Sequence, residues 1–81
     1  MRSGETITVP NDYGDLVEIN EVVIYPQTNK QGTMYWKVEG MFGSARYTLC
    51  IVTDRVKAEN HFAEVNQMLL DVHEKDLISR F

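Results

Sequence analysis

At Asp54 the spacing of apolar residues changes, and that change constrains the fold more than any other feature of the chain. Before it, from Tyr35 to Thr53 (YWKVEGMFGSARYTLCIVT), strand-forming side chains alternate with polar ones. After it, Ala58, Phe62, Val65, Leu69 and Val72 recur at spacings of four, three, four and three. A period of two is that of a strand with one buried face, and a period near 3.6 is that of a helix. A chain that makes this switch is a sheet feeding a helix, and the helix must lay its apolar stripe on the sheet.

The stretch from Tyr35 to Asp54 holds the only Trp, the only Cys and two of the four Tyr. Aromatic and β-branched residues suit a pleated, half-buried surface, so the stretch reads as two central strands, Thr33 to Glu39 and Ala45 to Thr53. Gly40 to Ser44 reads as the turn between them. In the second strand Ala45, Tyr47, Leu49 and Ile51 share one face, and Arg46, Thr48, Cys50 and Val52 the other.

Upstream, Glu5 to Val9 alternates and stops at Pro10. Asn11 to Asp15 has the composition of a turn. Leu16 to Tyr25 is a further strand, ended by Pro26. Its apolar residues change parity between Val17/Ile19 and Val22/Ile24, so either a bulge sits near Asn20-Glu21, the preferred reading because two polar residues meet there, or the second half of the strand is buried on both sides. Gln27 to Gly32 is a polar hairpin loop. Connections this short join antiparallel neighbours.

The expected fold is therefore one α+β domain over residues 1–81. It is a four-stranded antiparallel meander with one long C-terminal helix packed on one face (β-β-β-β-α). The helix is expected from Arg55 to about His73, with Asp54 as N-cap and Thr53 as the neighbouring candidate. Continuing the stripe would place Asp76 at its centre. A stop near Glu74 is therefore expected, with Leu77, Ile78 and Phe81 folding back. Trp36, Leu49, Ile51, Phe62, Val65 and Leu69 are the expected core.

At 81 residues, 43% apolar and 25% charged, the chain has the make-up of a globular domain. It has no apolar run of the ~20 residues that a membrane span needs. The lone Cys50 has no partner for an internal disulfide, and no apolar segment follows Arg2. Both set the expectation of a reducing, cytoplasmic setting. Net charge is −4, but it is segregated. Residues 1–21 carry five acids and one base, residues 22–57 two acids and five bases, and residues 58–81 five acids and two bases.

Chemistry-bearing patterns are sparse. Cys50, His61 and His73 lack the local setting of a nucleophile and base. One Cys and two His make no closed zinc set. Gly40-x-x-Gly43 is followed by neither a phosphate-loop Lys nor a dinucleotide fingerprint. No catalytic residue, metal ligand or cofactor is expected.

Two function classes remain. A second helix stripe, Val56, Ala63, Leu70 and Leu77, each seven apart, lies away from the first. One helix on one sheet needs a single stripe, so the extra one points to a protein partner or a homodimer, contacting through Leu70, Leu77 and Phe81. Alternatively, the C-terminal residues cover it. Small size, acidity and the lack of a catalytic set give the profile of an inhibitor or regulator such as phages often encode; no motif carries that profile. The second class is single-stranded nucleic-acid binding, with Tyr35, Lys37 and Arg46 as an aromatic and basic sheet face.

Overall fold

The computed structural model describes the backbone of residues 6–78 and the side chains of residues 6–74. Five strands precede one helix: β1 (Ile7–Pro10), β2 (Leu16–Ile19), β3 (Glu21–Thr28), β4 (Met34–Phe42), β5 (Ala45–Val52) and α1 (Arg55–Ile78). The architecture is α+β with antiparallel strands throughout. The strands form two sheets, a β1-β2 hairpin and a β3-β4-β5 meander, where the sequence suggests one sheet of four.

The division falls at Asn20, where the apolar parity slips. The expected bulge is instead a break. β2 and β3 part there, and the hairpin folds over the three-stranded sheet. Ile19 is fully buried against Gly40 of β4. This explains why Gly40 lies inside a strand and not in a turn. A Cβ on it would stand 2.6 Å from Ile19 Cγ2, inside the contact distance of the two carbons. The β4–β5 turn shrinks to Gly43-Ser44. Gly43 has φ +62 and Ser44 has no positive φ, as in the tight hairpin turns that match strand twist.

The other two hairpin loops share one design. In Asn11–Asp15 the Asn11 Oδ1 accepts the backbone N–H groups of Tyr13 and Asp15, both at 2.9 Å. In Asn29–Thr33 the Asn29 Oδ1 accepts those of Gln31 and Thr33, at 2.9 and 3.0 Å. Glycine takes a positive φ at the fourth place in both, +87 at Gly14 and +84 at Gly32. The short Asn side chain closes the turn on its own backbone, and glycine turns the chain back into the ladder.

A second slip lies in β5. Val38 pairs with Cys50 and Glu39 with Thr48, so Leu49 is an extra residue, a β-bulge. The bulge reverses the parity expected for the second half of this strand. Cys50 and Val52 turn towards the core, and Ile51, expected inside, is 46% exposed on the other face. β3 continues through Pro26 to Thr28. The strand lies at the sheet edge, where a missing N–H can face outward without loss to the ladder. At the other edge, the Asp12 N–H of the first loop donates to the Thr48 carbonyl at 2.8 Å.

The core joins all three parts: Ile7, Val9 and Ile19 from the hairpin, Val38 and Leu49 from the sheet, and Ala58, Val65 and Leu69 from the helix. Trp36 and Phe62 pack against it, partly buried. Asp54 caps α1, its Oδ1 accepting the Val56 N–H at 2.9 Å. The Arg55 guanidinium lies over the Trp36 ring at 5.4 Å and its Nε donates to Glu59 at 2.9 Å, which ties the first helical turn to β4. The helix runs 24 residues to Ile78, past the stop expected near Glu74. The polar residue that continues the stripe at Asp76 therefore does not end the helix backbone. No helix of the described residues is long and apolar enough to cross a membrane.

Candidate docking surfaces

Hairpin and helix occupy the same face of the β3-β4-β5 sheet, the one bearing Val22, Ile24, Trp36, Val38, Cys50 and Val52. The opposite face carries Tyr25 on β3, Tyr35, Lys37 and Glu39 on β4, and Arg46 and Ile51 on β5. Tyr35, Lys37 and Arg46, expected to share a face, do so. The residue that sequence reasoning passed over is Glu39, which lies among them.

Glu39 is 8% exposed although it lies on the outward face. In register it stands between Val23 and Thr48. Lys37 Nζ lies 3.5 Å from its Oε2, and Arg46 Nη2 3.6 Å from its Oε1. The Oε1 is buried and accepts no hydrogen bond, so Arg46 holds it by charge alone. One carboxylate thus faces both cations of the expected nucleic-acid surface. Partial burial, with the Glu39 carboxylate beside it, keeps the Tyr25 hydroxyl above its ordinary pKa. Tyr35 is turned towards the sheet edge, its hydroxyl donating to Gln27 Oε1 at 2.7 Å. A shallow hollow of about 380 Å³ lies next to Tyr35, lined by Ile51, Val52, Thr53, Asp54 and Lys57 as well. The alternation of Lys37 and Glu39 places them on one face, so their pairing could have been read from the sequence; the burial of Glu39 could not.

The helix has a second surface. Ala58, Val65 and Leu69 are buried, while Val56 is 62% and Leu70 51% exposed. Ala63 is exposed between them. The expected second stripe therefore faces outward over the described residues. The Leu77 side chain and the whole of Phe81 lie outside the described residues. Because α1 is continuous to Ile78, the chain does not turn back before that point to cover Leu70.

The groups with chemical potential are dispersed. Among the described residues no three His, Cys, Asp or Glu side chains converge as metal ligands would. Cys50 is half-buried, and that burial, with Asp12 nearby, pushes its thiol above the ordinary value and away from the reactive thiolate. His73 is exposed and His61 half-buried on the helix. Compared with family models, curated proteins and solved structures, the chain matches none.

Proposed function

We propose that the protein is a non-enzymatic protein-binding module, an inhibitor or regulator that docks on a larger partner. The observation that carries this reading is the outward stripe of α1, with Leu70 half-exposed and Val56 more so. A helix that already packs its inner side has no structural need of leucine on the outer side, and exposed apolar rows of this kind mark interfaces. The partner is a foreign protein or a second copy of the chain, joined by a symmetric contact. Leu77 and Phe81 extend the same surface in this reading. No membrane partner is invoked, and a cytoplasmic setting, argued from the lone Cys50, belongs to the same reading.

Leu70→Glu tests it. Leu70 is exposed in the single chain, so the substitution is expected to change stability by no more than about 0.5 kcal/mol. Light scattering on the unaltered protein is expected to show a dimer, or a complex with the purified partner, that Leu70→Glu dissociates. Association that survives the substitution, or a variant that unfolds, would remove the helix surface from the reading.

Single-stranded nucleic acid is the second reading, favoured by the shared face of Tyr35, Lys37 and Arg46. Glu39 opposes it, because it already compensates the charge that phosphate would need. The unaltered protein is expected to bind oligonucleotides weakly, and Glu39→Gln to bind more tightly with a steeper loss on adding salt. Tight, steeply salt-dependent binding by the unaltered protein would reverse the order of the two readings.

A further inference from the structure

We propose that the tip of the β1-β2 hairpin is a preformed anchor, built on Tyr13 and Leu16, for a protein whose apolar cleft is rimmed by Arg and Lys side chains. The inference rests on the docking-module reading and places a contact surface where that reading has none.

The chain contains its own control. The Asn11–Asp15 and Asn29–Thr33 loops are built alike, with Asn at the first place and a positive-φ Gly at the fourth. The third place asks for no particular side chain, since it is Gln31 in one loop and Tyr13 in the other. Tyr13 is 88% exposed, so the fold does not use its ring. Leu16, the first residue after the loop, is 72% exposed and pairs in register with the exposed Pro10. Three exposed apolar side chains are thus gathered at one tip, with Pro10 and Leu16 on the side of the hairpin turned away from the core.

The tip is also held. The bonds to Asn11 fix the loop internally, and the Asp12 N–H bond to Thr48 pins it to β5. An aromatic presented on a fixed loop loses little freedom on binding. Charge selects the partner. Residues 6–19 contain Asp12, Asp15 and Glu18, all exposed, and no base. Such a surface repels phosphate backbones and anionic lipids and complements a basic rim, which steers encounter.

The test is selection of a random twelve-residue peptide library on the full chain, followed by affinity measurement on purified variants. The expected binders combine an aromatic or aliphatic pair with two or more Arg or Lys. Their affinity is expected to fall about thirtyfold on Tyr13→Ala, the scale of a central anchor. Gln31→Ala, at the matching place of the sister loop, is expected to leave it unchanged. Peptides that lack basic residues, or that bind Tyr13→Ala as well as the unaltered chain, overturn the proposal. If those peptides are lost on Leu70→Glu, the docking module stands on its helix surface alone. If the folded chain selects no peptide that contacts Tyr13, the anchor falls, and the helix surface stands or falls on the Leu70→Glu scattering test.

Discussion

Replacing Leu69 with Ala is expected to destabilise the protein by about 2–5 kcal/mol. Leu69 is 5% exposed and belongs to the cluster where hairpin, sheet and helix meet. Truncation removes three buried carbons and leaves a space bounded by elements that are themselves tied down. The helix cannot simply settle, because Asp54 caps it and Arg55 stacks on Trp36 at its start. A domain of this size has a total stability of about 5–15 kcal/mol, so the loss is a large share of the whole. Urea denaturation gives the measurement. The midpoint should fall with little change in slope, since the surface exposed on unfolding barely alters. An unmoved midpoint would show that the stripe through Leu69 does not hold the helix to the sheet.

The second large effect is at Gly40. Gly40→Ala is expected to cost about 1–3 kcal/mol, a loss caused by one added methyl group. The new Cβ would meet Ile19 Cγ2 at 2.6 Å and Cδ1 at 2.8 Å. An exposed isoleucine would swing aside. Ile19 is fully buried, so either its rotamer is forced or the hairpin lifts from the sheet. The double variant separates this cause from general strand effects. Ile19→Ala alone opens a cavity; combined with Gly40→Ala, the added methyl fills part of it. The two costs are then expected to sum to more than the cost of the pair. Strict additivity would mean that Gly40 is needed for its own backbone and not for Ile19.

The outcome shows where local pattern decides and where it does not. The helix was legible because its stripe runs through five residues at regular spacing, with Asp54 at its start. The strands at Thr33 and Ala45 were legible by alternation. The errors lie where a tertiary contact overrides the local pattern. Gly40 resembles a turn residue until Ile19 is placed on it. The parity slip at Asn20 was visible, but a bulge and a break leave the same trace in one dimension. The Leu49 bulge has no sequence signature, and so alternation alone puts Ile51 on the wrong face. Of the candidate surfaces, the shared face of Tyr35, Lys37 and Arg46 followed from alternation once both strands were placed. The outward face of Leu70 followed from helical spacing. Glu39 was passed over because a charged residue on an outward face is normally solvated, and its burial depends on which long side chains lie over it.

The two edges of the β3-β4-β5 sheet carry a consequence for many copies of the chain at high concentration. An edge strand is a row of open backbone groups on which another strand can grow, and repeated growth of that kind produces fibrils. Here Pro26 removes a donor from the β3 side, and the Asp12 loop already occupies the Thr48 carbonyl on the β5 side. Neither edge offers an unbroken template. The same bond that steadies the hairpin tip therefore also interrupts the β5 edge as a template for a further strand.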